Sequence, residues 1–370
     1  MNKYSVLKFL ERWAPPQIAW QKDNVGLQAG SLQGKLTNIM LCLEVTQIVV
    51  EEAIKKRCNL IISHHPFLFS PLKKIDTDND TTAQLAQLLL SNNLTLLSFH
   101  TNLDFAQNGV SFALAKKLQL QNIEFLVPQR ENQSKLIVFV PESAVEKVAD
   151  ALFLADAGRI GEYDKCSFRV DGEGTFFGSD ASHPAVGKKK TFEKVKEVRF
   201  EVILDDWNIG KAVSALKSVH PYEQPAFDIY PVKNENTKYG FGTIGSLKSP
   251  LKEKDFLNHV STSLKTPVRY TDGKKEVISK VAVCGGSGSE LLKEALAQKA
   301  DAFVTADIKY HSFFDANGKI LLVDAGHYET EIHILPEMKT RLEYYLKTEK
   351  STCKVFQFGG KTSPVKFFIN

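Results

Sequence analysis

The sequence is short of several things, and each shortage removes a class of protein. It has five cysteines in 370 residues: Cys42, Cys58, Cys166, Cys284 and Cys353. The number is odd, the spacings are wide and no C-x-x-C occurs. Neither a disulfide framework nor a cysteine zinc cage is expected, and a reducing cytoplasm fits best. No apolar run approaches the roughly 18 residues of a membrane span. The first residues, MNKYSVLKFLERWAPP, do not read as a signal peptide, because Lys and Glu interrupt Tyr4, Val6, Leu7, Leu10 and Trp13 at helical spacing. One-sided charge is missing too. Lys and Arg total 47 against 43 Asp and Glu, a net charge of +4. With no recognisable nucleic-acid motif beside it, that balance disfavours nucleic acid as a partner. Short-period repeats and low-complexity tracts are absent as well, which excludes solenoids and disorder.

What is present is alternation. Residues 4–13 read as an amphipathic helix stopped by Pro15-Pro16. Residues 37–43 read as a buried strand and 46–57 as a helix opened by Thr46, with acids early and bases late. Strand 59–63, helix 81–92 and strand 94–99 follow. Strands alternating with helices predict a largely parallel α/β sheet. Polar residues 127–135 then mark a boundary, and from 135 to about 232 the order is strand, helix, two strands, helix, strand. That βαβ repetition predicts a ferredoxin-like domain. Within it, 180–197 reads as an exposed loop. After 233–239 the α/β texture resumes, with strands near 240–246, 279–284, 302–305 and 320–324 and one long helix over 328–346. The expected architecture is therefore one discontinuous α/β domain, 1–126 with 236–370, carrying an inserted ferredoxin-like α+β domain at 127–235.

The chemistry collects at strand ends. LIIS runs into His64-His65, LLSF into His100 and Asp104, AFVT into Asp307 and His311, and ILLVD into His327 and Glu331. Ligands of open α/β sheets bind at the carboxyl ends of the strands. Each piece alone has an ordinary explanation, such as a turn or a surface pair, but four such ends rich in histidine point jointly to a metal site. Imidazole and carboxylate without thiolate suit Zn, Mn, Fe, Co or Ni. The donors outnumber what one tetrahedral ion takes, so two divalent ions per chain are expected, bridged by Asp104 with Glu331 as the alternative. His64, His65 and His327 are the expected terminal ligands, with His100 and His311 as acid/base or outer groups. A separate glycine-rich turn, Gly285-Gly286-Ser287-Gly288, follows a strand and opens a helix. It matches neither a Walker loop nor a dinucleotide fingerprint, and it stands as a candidate anion site or a tight turn. Cys284 beside it reads as a small buried residue.

These segments resemble the NIF-three-like family, whose members carry the label GTP cyclohydrolase 1 type 2 homologue. The resemblance rests on AWQKDNVGLQAG (19–30), LIISHHPFLF (60–69), HTNLDFAQNGV (100–110), VAVCGGSGSE (281–290), AFVTADIKYH (302–311) and LLVDAGHYETE (321–331). It implies a two-metal α/β protein that assembles as a toroidal homohexamer, with metal ligands at His64, His65, Asp104, His327 and Glu331. It also implies that AGRIGEYDKCSF (157–168) and HPYEQP (220–225) belong to a PII- or CutA-like insertion. The sequence departs from the family pattern at Lys22 before Asp23, at Glu44-Val45-Thr46 and at Thr305-Ala306-Asp307. The function that follows is metal-dependent hydrolysis of a nucleotide or phosphoester, with GTP ring opening implied by the family label. The other reading is a non-catalytic metal-dependent scaffold or regulator that binds a protein or nucleic acid. A ring with a charged lumen could hold a single strand.

Overall fold

A computed structural model describes residues 1–367. The chain divides into two compact units, one formed by Met1–Val127 with Tyr239–Asn370 and the other by Pro128–Lys238. Among the described residues the strands run β1 (Gly26–Ala29), β2 (Ile39–Cys42), β3 (Leu60–Ser63), β4 (Thr95–Ser98), β5 (Gln121–Arg130), β6 (Gln133–Pro141), β7 (Phe168–Phe177), β8 (Phe192–Asp205), β9 (Phe227–Val232), β10 (Glu235–Lys252), β11 (Arg269–Tyr270), β12 (Val277–Ser287), β13 (Ala302–Ala306), β14 (Leu321–Asp324) and β15 (Val355–Gln357).

The first unit holds two sheets. One has the order β1-β4-β3-β2-β15, the other β11-β14-β13-β12-β10-β5. In the first, β15, β2, β3 and β4 are mutually parallel and β1 closes an edge antiparallel. In the second, β12, β13 and β14 are parallel. Strands β2, β3, β4, β13 and β14 are buried at every residue, as continuous apolar runs in a parallel sheet covered on both faces should be. Helix Lys3–Trp13 buries Val6, Leu7 and Leu10 into the core of the first sheet. Its start is set by Asn2, whose side chain accepts the N–H of Ser5. Helix Thr81–Ser91 is capped the same way by Asp80. Parallel strands direct their carboxyl ends to one edge, and the segments that follow β2, β3, β4, β13 and β14 all bring polar residues to it.

The second unit is a four-stranded antiparallel sheet of order β7-β8-β6-β9. Helices Val145–Leu154 and Ile209–Val219 supply the crossovers, which makes this the ferredoxin-like arrangement. Alternate residues Leu136, Val138 and Val140 of β6 and Val198, Phe200, Val202 and Leu204 of β8 meet the helices in one core. The opposite face of the sheet carries the charged residues.

Several expectations need correction. The polar stretches 127–135 and 233–239 are largely strand, because β5 runs to Arg130, β6 starts at Gln133 and β10 starts at Glu235. The stretch 180–197 is loop only as far as Thr191, since β8 begins at Phe192. The helix expected over 328–346 is two, His327–Glu331 and Ile334–Thr348. Pro336 in the first turn of the second has no N–H to offer the preceding turn, so a new helix starts there. Thr46 has the extended backbone of a cap, but its hydroxyl makes no capping bond to helix Gln47–Lys55.

Candidate metal centre

The site is built where the strands end. His64 and His65 follow β3 directly, and their N–H groups donate to the carbonyls of Cys42 and Leu43, which fixes both backbones. His100 follows β4. Asp104 lies at the end of a single helical turn, Thr101–Asp104, and its N–H closes back onto the His100 carbonyl. His327 and Glu331 occupy the one-turn helix after β14, four residues apart and on one face. Ring centroids of neighbouring histidines lie 5.0 to 5.5 Å apart along His100, His64, His65 and His327.

The two nitrogens of each ring have different surroundings. Every Nδ1 donates outward. His64 Nδ1 meets the Phe99 carbonyl at 2.8 Å, His65 Nδ1 meets Glu44 Oε1 at 3.2 Å, His100 Nδ1 meets Asp23 at 3.0 Å and His327 Nδ1 meets Asp307 Oδ2 at 2.6 Å. The Nε2 atoms gather with the two central carboxylates. Glu331 places Oε2 2.9 Å from His65 Nε2 and Oε1 3.1 Å from His327 Nε2 and 3.7 Å from His64 Nε2. Asp104 Oδ1 is 3.6 Å from His64 Nε2. Yet His64 Nε2 and Asp104 Oδ1 are buried and make no hydrogen bond, and the buried His65 Nε2 and Glu331 Oε2 have only each other. Buried polar atoms ordinarily find partners, so two orphans beside a lone imidazole–carboxylate pair mark a place for something they would all ligate. Two overlapping groups, His64-His65-His100 and His65-His327-Glu331, bring one donor atom from each residue within 4.8 Å and could hold metal ions.

The electrostatics agree. Burial disfavours a charged His64 and lowers its pKa. Burial also opposes the charge on His65, but Glu331 and Glu44 outweigh it and hold the pKa up at about 10. At His327 burial is likewise overcome by Glu331 and Asp307, giving about 9. Burial and the charge of Glu331 raise Asp104 well above the usual carboxylate range. Glu331 is pushed the other way, its burial overcome by the surrounding histidines. The two neighbouring carboxylates are thus driven apart, Asp104 towards its neutral form and Glu331 towards its charged one.

A family model for Duf34/NIF3 (NGG1p interacting factor 3) matches residues 1–364. The chain belongs to the Duf34/NIF3 family. It is 36% identical over 369 residues to a Halalkalibacterium halodurans protein named GTP cyclohydrolase 1 type 2 homolog, with 99% of each chain covered. Among solved structures, a Bacillus cereus protein related to NIF3 matches with a TM-score of 0.87 at 34% identity, over 100% of this chain and 99% of that one. A Staphylococcus aureus protein matches at 0.79 and 29% identity, with 100% and 99% covered. The fold of this NIF3 chain is therefore the mixed α/β fold of its family, with a ferredoxin-like insertion.

Other residues singled out in the sequence have different surroundings. His100 lies beside His64 and His65 in one of the two donor groups. His311 is exposed at the start of helix Tyr310–Ala316, where its ring meets Tyr310 edge-on. In the glycine-rich segment, Gly285 N–H donates to Ser111 Oγ and Gly286 N–H to Thr330 Oγ1, so neither is free for an anion. Gly286 has φ +63°, and a Cβ there would collide with Glu331 Oε1 and lie 3.3 Å from His327 Cε1. Glycine at that position lets the backbone pass under the cluster. Burial pushes the Cys284 thiol up and keeps it inert. Sequence reasoning did not assign roles to Asp23 and Glu44. Asp23 lies in the DNVGL segment and Glu44 just beyond the end of β2, and the only signal was an acid at such a place. A cavity of about 410 Å³ opens beside the cluster, lined by Glu44, Asp307, His327, Tyr328, Arg269 and Asp324 among others.

Proposed function

We propose that this NIF3 protein is a metal-dependent hydrolase with a two-metal centre, acting on a nucleotide or phosphoester that enters through the cavity beside His327. The observation that carries the reading is the convergence of inward Nε2 and carboxylate atoms, with buried His64 Nε2 and Asp104 Oδ1 left without a partner. They are the right donor types for Zn, Mn, Fe, Co or Ni, and there are enough of them for two ions. His64, His65, His100, Asp104, His327 and Glu331 would hold the metal, with Asp104 or Glu331 shared between the ions. Divalent ions in such a centre lower the pKa of water and stabilise charge on a reacting oxygen. The chain's own residues do the rest. Glu44 and Asp307 line the cavity and brace two of the ligands. Gly286 keeps the floor beneath Glu331 clear. His311 stands on the helix that follows the cavity wall at Asp307 and is the chain's candidate for moving a proton to or from bound substrate. The label GTP cyclohydrolase 1 type 2 homolog belongs to relatives, and GTP is accordingly the first substrate to try.

No helix among the described residues is long and apolar enough to cross a membrane. A cytoplasmic, ring-shaped homohexamer is part of the same proposal, and mass photometry tests the assembly.

The decisive experiment is elemental mass spectrometry of the purified protein and of Asp104→Ala, each after supplying Zn, Mn and Fe in turn. About two ions per chain, reduced in the variant, is the expected result. GTP and generic phosphoesters are then assayed for metal-dependent turnover. No bound metal under any condition would remove the hydrolase reading and leave a metal-free scaffold.

A further inference from the structure

The histidine cluster is held from outside by acids that come from unconnected parts of the chain. Asp23 precedes β1, Glu44 follows β2 and Asp307 follows β13. We infer that Asp23, Glu44 and Asp307 are positioning residues of the proposed metal centre, each fixing one histidine with its proton on Nδ1 and its Nε2 lone pair turned inward. The inference rests on the metal reading above.

A neutral imidazole carries one proton, and the nitrogen that bears it cannot ligate. An ionised carboxylate only accepts hydrogen bonds. A carboxylate at Nδ1 therefore decides the tautomer, and it also makes the ring a more basic ligand. The fourth histidine, His64, reaches the same state with a backbone carbonyl, that of Phe99.

Chance surface pairing does not account for the three acids. The side chain of Asp23 is 3% exposed, and besides His100 it accepts the N–H and hydroxyl of Thr101 at 3.1 and 2.5 Å. Glu44 gives one oxygen to His65 and the other to the hydroxyl of Thr362. Asp307 sits at φ +53°, a left-handed conformation that few side chains adopt but that Asp tolerates. That turn brings its carboxylate 2.6 Å from His327 Nδ1. In two of the three cases, then, the acid is oriented by further bonds, and in the third by an unusual backbone.

Asp307 is the place to test this. Its side chain is 54% exposed, so removing it empties no core. Asp307→Gly deletes the acceptor and suits the positive φ, while Asp307→Asn keeps an uncharged acceptor. Zn affinity is measured by competition against a chromophoric chelator, and the thermal midpoint is measured on the metal-free proteins. The expected outcome is Zn binding weakened about 10–100-fold in Asp307→Gly and by less in Asp307→Asn, the loss typical of an outer partner. The metal-free midpoints should stay together. On the Zn-loaded proteins, histidine ¹⁵N spectra should show His327 protonated at Nδ1 in wild type and the pattern disturbed in Asp307→Gly. Wild-type Zn affinity in Asp307→Gly, with the ¹⁵N pattern unmoved, would overturn the inference while leaving the metal centre intact. A wild-type protein that binds none of Zn, Mn or Fe would instead remove the metal centre, and the inference with it. If Asp307→Gly does not fold, Glu44→Gln at His65 is judged by the same measurements.

Discussion

The histidine cluster of the α/β framework and the sheet surface of the ferredoxin-like insertion treat charge in opposite ways. On the open face of the insertion, Lys135 meets Glu201 at 2.7 Å and Arg199 meets the same carboxylate at 2.8 Å, while at the sheet edge Lys194 meets Glu173 at 3.2 Å. The basic side chains of these pairs are 44 to 62% exposed. Exposed pairs contribute about 0–1 kcal/mol each, and their loss is easily tolerated. The framework instead buries Glu331 among histidines at 4% side-chain exposure. Buried charge costs several kcal/mol unless it is well paired, so a fold that keeps it there has a use for it. The comparison locates the chemistry in the framework cluster and treats the lysines and arginine of these insertion pairs as solvated surface.

The strongest way to break that comparison is Glu331→Ala. It removes the carboxylate that three of the histidines face. Metal content should fall to background in elemental analysis, and Zn affinity should drop by more than the roughly 10–100-fold expected for an outer partner. Retention of both ions would show that Glu331 is an ordinary buried pair. The converse experiment is Phe200→Ala in the insertion. Phe200 is fully buried in the insertion core and its ring lies 6.2 Å from that of Phe153. Its loss should destabilise the insertion by about 3–5 kcal/mol, seen as faster amide exchange in β6 and β8, with metal content unchanged. A parallel loss of metal would mean that the two regions share their stability.

Legibility in the sequence follows the same division. The buried parallel strands announce themselves as apolar runs, and the residues just after them give His64, His65, His100 and His327 from the amino-acid order alone. The two insertion helices are legible because Val145, Val148, Ala149 and Leu152 recur at helical spacing in the first of them, and Ala212 and Leu216 in the second. The first half of β8, FEKVKEV, is not. Charged residues alternate with apolar ones there and most are at least partly exposed, and pairing with β7 makes them a strand where intrinsic preference would not. The start of β10 is missed for the same reason. The partners of the histidine Nδ1 atoms are illegible in a deeper sense. Asp23 and His100 are 77 residues apart, and only the pairing of β1 with β4 brings them together. Gly286 is visible in the sequence as glycine, but its purpose depends on Glu331 lying directly above it.

A smaller effect separates buried charge with a structural role from buried charge at the site. Asp301, at the start of β13, is buried in the framework away from the cluster. It accepts the N–H groups of Ser279 and Lys280 at 2.9 and 2.8 Å and the Lys275 ammonium at 2.6 Å. Burial alone would raise its pKa, but Lys275 and the two N–H donors lower it below the ordinary value of 3.8. A depressed folded-state pKa stabilises the protein above the unfolded value and loses that contribution as pH falls through the folded one. Asp301→Asn should therefore cost about 1.5–3 kcal/mol at neutral pH, the range for hydrogen bonds to a charged group. The difference from wild type should shrink as the pH falls below the ordinary carboxylate value, as urea titrations at several pH values would show. Metal content should not change. A cost that persists undiminished in acid would mean that Asp301 acts through packing and not through its charge.

The smallest expected effect lies on the other side of the comparison. Lys194→Ala removes one member of the exposed pair with Glu173, whose two side chains are 62 and 55% exposed. Water solvates both groups nearly as well apart as together, and ordering two long side chains offsets most of their attraction. The stability measured in urea should therefore stay within about 0.5 kcal/mol of wild type, and raising the salt should leave the difference unchanged. A loss several times larger, diminished by salt, would show that the insertion's charges act as a network. The contrast between a framework that buries charge for chemistry and an insertion that merely displays it would then fail at its quieter end.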